Sequence, residues 1–244
     1  LYHCWKTNGH GKMNVTDAIK ESCDVFFYET SKKLGIDKIA EVAKDFGLGK
    51  SYDISMPNQN TGIVPNKKWK KEKKGESWYA GETLICAIGQ GFVLTNPFQL
   101  AVMTSIIASN GKMIEPTIIK GNRVSFKTND KYSKEIKIIK KAMFKVVNEN
   151  KGTAFKSRLQ DIKFAGKTGT SQVRRISLSE RESDDFREKE QEWKNRDHAL
   201  FVGYTPYDDP KYSISVIIEH GGSGASTAAP IAKQIFNYIN ELEV

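Results

Sequence analysis

Residues 199–218 constrain the fold more than any other stretch. Ala199-Leu200-Phe201-Val202-Gly203-Tyr204 and Tyr212-Ser213-Ile214-Ser215-Val216-Ile217-Ile218 are two runs rich in aromatic and β-branched residues. Asp208-Asp209-Pro210 lies between them and supplies turn formers, so the pair reads as a β-hairpin. A further strand is expected to begin near Phe164. Consecutive strands joined by a short turn imply an antiparallel sheet.

Helical patterns lie on both sides of these strands. Asn14 or Thr16 can cap a helix through Asp17 to Lys20. Phe26, Phe27, Thr30 and Leu34 are spaced for one face of a second helix, which Gly35 ends. Ile39, Ala40, Ala43 and Phe46 form the inner face of a third, which Gly47 stops. Residues 50–80 are polar and rich in turn formers, and read as loops. Thr95-Asn96-Pro97 is a helix start, with a capping side chain followed by proline in the first turn. That helix is apolar on most sides and is stopped by Asn110-Gly111. Residues 112–120 read as a strand, 134–149 as an amphipathic helix and 228–242 as a final helix. The sequence therefore predicts an α/β (α+β) domain, an antiparallel sheet flanked by helices on both faces. One domain is expected over 1–244, with a charged insertion at 177–197 that has no apolar pattern able to support a core.

Charge excludes little by itself. The net charge is +9, but the basic residues are spread along the chain, and no nucleic-acid partner is expected. Lys67-Lys68-Trp69-Lys70-Lys71-Glu72-Lys73-Lys74 is the one dense run. It reads as a solvated loop, or as a contact to anionic lipid head groups or wall polymers. The longest apolar stretches fall far short of the ~20 residues of a spanning helix. The chain opens with Leu1-Tyr2-His3-Cys4-Trp5 rather than with Met and a leader, as the middle of a longer protein would.

Two short motifs carry chemistry. Lys167-Thr168-Gly169-Thr170 opens a strand. A tripeptide such as Lys-Thr-Gly alone is most often a turn leading into a strand. On a sheet edge, however, it offers a cation, two hydroxyl donors and free backbone amides. Those groups can hold a peptide carboxylate and add an extended peptide to the sheet. Ser22-Cys23-Asp24 lies at a break between helices, where Ser and Asp alone are usually caps. The pairing of the two motifs is the informative observation, because serine β-lactamases and penicillin-binding proteins share it, preceded by Ser-x-x-Lys.

With these motifs the chain resembles the transpeptidase domain of class B penicillin-binding proteins of the elongation type. Further residues that carry the resemblance are Trp5-Lys6, Gly9-His10-Gly11, Glu21 to Tyr28, Ala87-Ile88-Gly89-Gln90-Gly91 and Thr95 to Ala101. Leu34-Gly35-Ile36-Asp37, Gly152-Thr153-Ala154, Ala165-Gly166 before Lys167, His198 to Tyr204 and Ala228-Ala229-Pro230 complete the set. The resemblance implies the penicillin-binding transpeptidase or serine β-lactamase-like fold, and a D,D-transpeptidase that cross-links peptidoglycan through a serine acyl-enzyme. It implies catalytic roles for Ser22, Asp24 and Lys167, and substrate-binding roles for Thr168, Gly169 and Thr170. Asp24 stands where the family usually has Asn, which could donate amide hydrogens. The nucleophile motif is expected upstream of Leu1, because the only Ser-x-x-Lys match is Ser109-Asn110-Gly111-Lys112, which reads as a helix stop.

The resemblance further implies binding of stem peptides and β-lactams, and partners that include a membrane glycosyltransferase and elongation-complex proteins. The expected location is the periplasmic face of the bacterial inner membrane, with an N-terminal anchor. No organic cofactor is required. Cys4, His10 and Cys23 form a soft donor set that suits structural zinc. Two buried thiols with a surface histidine, or a Cys4–Cys23 disulfide, are the alternatives. A non-catalytic sensor or wall scaffold, and a class D β-lactamase, remain rival functions.

Overall fold

A computed structural model describes residues 2–119, 126–128, 130–174 and 192–242. The predicted hairpin is present: β4 (His198–Thr205) pairs antiparallel with β5 (Tyr212–Ile218). On the other side of β4 lies β3 (Ala165–Ser171), also antiparallel, with Lys167 opposite Val202 and Ser171 opposite His198. The sheet order is β3-β4-β5, so β3 is an edge strand. A separate two-stranded ribbon joins β1 (Lys112–Ile114) to β2 (Phe126–Thr128). The strand expected over 112–120 is thus confined among the described residues to Lys112–Ile114.

Eight α-helices occur among the described residues. They are α1 (Val15–Lys20), α2 (Asp24–Leu34), α3 (Ile36–Asp45), α4 (Lys67–Lys74), α5 (Ala80–Ala87), α6 (Pro97–Ala108), α7 (Ser133–Asn148) and α8 (Ala229–Leu242). Asn14 and Asn96 cap α1 and α6 as expected, each accepting a backbone N–H three residues on. Two expectations need correction. Residues 50–80 are not all loop, because α4 and the first residue of α5 fall there. Leu34 does not face inward with Phe26 and Phe27; it is exposed, and α2 buries Tyr28 and Ser31 instead.

The sheet has a core on each face because side chains alternate along a strand. Phe201 on β4 packs with Phe164, Val146, Val147 and Phe236, under α7 and α8. Tyr204, three residues on and on the opposite face, packs with Val102 and Ile106 of α6 and with Ile136 and Met143 of α7. Close packing explains Gly166: a Cβ there would lie 2.1 Å from the Phe201 ring. The charged insertion at 177–197 lies outside the described residues as far as 191. Its described end, 192–197, is tied down by the Asp197 carboxylate, which accepts the Val173 N–H at 3.2 Å.

Candidate active site

The site forms where the break between α1 and α2 meets the opening of β3. Ser22 occupies that break in a left-handed conformation, with φ of +53°. Its backbone N–H still reaches Ile19 O at 3.3 Å, and Cys23 N–H reaches Ala18 O at 2.9 Å. The chain thus unwinds by one turn and projects Ser22 while Cys23 stays buried. Trp5 clamps this turn. Its indole N–H donates to Ser22 O at 2.8 Å, and its backbone N–H donates to the Asp24 carboxylate at 3.1 Å.

Lys167 reaches the turn from β3, and its ammonium donates a hydrogen bond to the Ser22 hydroxyl. A second bond at 2.8 Å goes to its neighbour's carbonyl, Thr168 O. Desolvation lowers the Lys167 pKa to about 8, against a smaller opposing pull from Asp24. Near neutral pH the amine is therefore poised to exchange a proton with Ser22. Burial pushes the Asp24 carboxyl upward from its ordinary range, while the Trp5 N–H, the Cys4 thiol and Lys167 hold it back. Asp24 begins α2, next to Ser22 and on the same side as Lys167.

Thr153 couples the two halves of the site. Its backbone N–H donates to Lys20 O at 3.3 Å, at the end of α1. Its hydroxyl lies 2.7 Å from that of Thr168 on β3. The Thr168 hydroxyl is therefore already engaged within the protein, whereas Thr170 is exposed on the outer part of the strand. Gly169 leaves little room on its sheet-facing side, since a Cβ there would sit 3.3 Å from the Leu200 side chain.

Beside Ser22, one ligand atom each from Cys4, His10 and Cys23 lie within 4.8 Å of one another. Cys4 Sγ is 3.4 Å from His10 Nδ1. All three cysteines of the chain are free, so Cys4 and Cys23 form no disulfide. Burial raises the Cys23 thiol pKa, and the nearby Cys4 adds to the rise. His10 Nε2 is buried with no hydrogen-bond partner among the described residues. Ser109-Asn110-Gly111-Lys112 is elsewhere, at the end of α6, where Asn110 and Gly111 take φ of +59° and +92°. It is a helix stop and the start of β1.

Three residues shape this site without having been assigned a role from sequence: Trp5, Gln90 and Thr153. Each sits in a stretch that carries the family resemblance, which was the available signal. Gln90 reaches β3 from the turn after α5, bonding Thr170 O and the Gln172 N–H.

Comparison with known proteins gives the family of the chain. The family model described as penicillin binding protein transpeptidase domain matches residues 2–237. The peptidoglycan D,D-transpeptidase MrdA of Salmonella typhimurium is 34% identical over 98% of this chain, which covers 40% of that relative. MrdA of Escherichia coli is 30% identical over the same share. Among solved structures, the complex of penicillin-binding protein 2 (PBP2) with MreC from Helicobacter pylori aligns with a TM-score of 0.87 and 34% identity. That alignment covers 99% of this chain and 42% of the other. PBP2 of Pseudomonas aeruginosa in complex with WCK 5153 aligns with a TM-score of 0.79 at 32% identity, over 97% of this chain and 49% of that one.

Proposed function

The chain belongs to the family of penicillin-binding protein transpeptidase domains, and on that premise we propose that it is the acyl-transfer core of a peptidoglycan D,D-transpeptidase of the elongation type. It spans about two fifths of the length of the curated relatives it matches. The single observation that carries the reading is the hydrogen bond between Lys167 and Ser22, which are 145 residues apart in sequence. A partly desolvated amine held on a serine hydroxyl is a proton relay.

In this reading a serine outside these residues attacks the carbonyl between two D-alanines of a stem peptide. The terminal D-alanine leaves as a free amine, taking a proton through Ser22. An amine of a neighbouring strand then attacks the acyl-enzyme, forms the cross-link and frees the serine. Lys167 sets the protonation of Ser22 and draws in the substrate carboxylate, which the Thr168 and Thr170 hydroxyls bind. The Thr170 backbone N–H stabilises the developing oxyanion. Burial raises the Asp24 carboxyl from its ordinary range, and its Oδ2, which accepts the Trp5 N–H, ties the Ser22 turn to the N-terminal segment. β-Lactams enter the same path and remain as acyl-enzymes. A fluorescent penicillin tests this on a denaturing gel. The full-length protein is expected to carry a covalent label, and the 244-residue chain alone to carry none. Label on the short chain would refute the outside location of the nucleophile. An unlabelled full-length protein would refute the acyl-transfer reading.

The reading also includes a structural zinc ion held by Cys4, His10 and Cys23, with a fourth ligand from outside these residues. Two thiols, an imidazole and an orphaned buried ring nitrogen support it. Bound there, the metal supplies a tether at Cys23 that fixes the turn aiming Ser22. Elemental analysis of the full-length protein and a Cys23→Ser variant checks this: zinc is expected in the first and lost in the second, and equal content in both contradicts it. The proposed setting is the periplasmic face of the inner membrane, beside a glycosyltransferase and a partner of the kind solved with the Helicobacter protein. No helix among the described residues is long and apolar enough to cross a membrane.

A further inference from the structure

Gln90 is held by the end of a helix. The backbone N–H groups of Gly89 and Gln90 close the last turn of α5, onto Cys86 O at 3.0 Å and Ile85 O at 3.2 Å. The glycines on either side take φ of +75° and +70°, a left-handed conformation that suits glycine and few other residues. This local geometry sends the Gln90 side chain across to β3. Its Nε2 donates to Thr170 O at 2.8 Å, and its Oε1 accepts the Gln172 N–H at 3.2 Å.

A carboxamide carries the donor and the acceptor of a peptide group. Here it takes the place that a neighbouring strand would take on an edge. In an antiparallel strand, alternate residues turn their backbone groups away from the partner. On β3 these are Thr168, Thr170 and, just past its end, Gln172. The Thr168 carbonyl is filled by the Lys167 ammonium, and the Thr170 carbonyl by Gln90. A peptide that adds to this edge needs an outward carbonyl for its own N–H. It finds each already accepting one bond on this edge, and so competes with the donor in place.

We propose that Gln90 is a specificity-determining residue whose carboxamide stands in for the peptide group of the acyl donor, closing the Thr170 carbonyl until a ligand with its own amide N–H displaces it. This rests on the acyl-transfer reading above. A ligand that places an amide at Thr170 O must first break the Gln90 bond. A ligand without such an amide leaves Gln90 where it is. Gln90 therefore slows amide-bearing donors selectively, and retains only those that restore the bond they displace.

The test measures second-order acylation rate constants of the full-length protein with two β-lactams. One is a penicillin with an acylamino side chain; the other is a carbapenem whose hydroxyethyl side chain has no amide. Gln90→Ala is expected to speed acylation by the penicillin about fivefold, the worth of one part-exposed hydrogen bond, and to leave the carbapenem unchanged. Gln90→Met keeps the length of the side chain and removes the donor to Thr170 O without adding a charge. It is expected to show the same selective gain, and it serves if the alanine variant loses its fold. Equal changes for both ligands in either variant would mean that Gln90 merely braces β3, and would overturn the proposal. So would a slower reaction with the penicillin alone. A wild-type protein that reacts with neither ligand would overturn the acyl-transfer reading itself, and this inference with it.

Discussion

Lys167 is the residue whose environment is most telling. Its pKa of about 8 arises chiefly from desolvation, against an ordinary lysine value near 10.4. The neutral amine grows in population as pH rises through that value. If the neutral form carries the Ser22 proton, acylation of the full-length protein by a β-lactam should increase with pH, with a midpoint near 8. A flat profile across that range would show that Lys167 does not titrate in the rate-limiting step. Lys167→Arg keeps the charge but cannot deprotonate, and is expected to slow acylation by about 100-fold or more. The pairing of Ser22 with Lys167 was legible only through the co-occurrence of two motifs, because nothing in their spacing brings together residues this far apart. The Trp5 clamp was not legible. Its partners are mostly backbone carbonyls, which every residue possesses, so no residue type marks the contact.

At the scale of elements, α4 shows why one helix was missed. Six of its eight residues are lysine, and such a run reads as solvated. Its inner face is built from aromatic and ionic contacts rather than from an aliphatic stripe. Trp69 packs against Phe92 at 5.3 Å between ring centres. Lys70 is only 1% exposed, with Glu82 at 2.5 Å and Glu76 at 3.3 Å. The Tyr79 ring lies under its ammonium at 4.3 Å. Glu82 also accepts the Tyr79 N–H at the start of α5, so one carboxylate serves both helices. Lys70→Ala would leave Glu82 without its cation, and is expected to lower the midpoint of chemical denaturation more than a change at the exposed Glu76 does. Glu76→Gln, at an exposed partner, should cost less than about 1 kcal/mol. Similar values for the two variants would show that α4 is not anchored through Lys70. The helices α1, α3, α6 and α7 were legible because asparagine caps or an aliphatic repeat marked them. The buried face of α2 was misjudged at Leu34, which is exposed, while its most buried residues are Tyr28 and Ser31 and Phe26 is half-buried.

Across the whole molecule, the antiparallel sheet and its helical cover were legible from one hairpin and its flanking patterns. The edge position of β3, which in the sequence was only a condition on what the Lys167 motif could offer, leaves Thr170 exposed. Of the contacts that join the site, only that of Lys167 with Ser22 was expected, from the paired motifs; the others link distant stretches that no motif pairs. Thr153 meets Lys20 and Thr168, Gln90 meets Thr170, and Lys167 meets Ser22. These contacts set a timetable for biogenesis. Synthesis runs from the N-terminus at about 5–20 residues per second, so the 145 residues between Ser22 and Lys167 take roughly 7–30 seconds to add. The Ser22 turn therefore exists well before the strand that will charge it. Contacts of such long sequence separation also close late in folding. A nascent or stalled chain thus has the residues of the serine turn without Lys167. On the acyl-transfer reading proposed above, the relay is complete only when the sheet closes, so covalent labelling of the full-length protein would report completed folding.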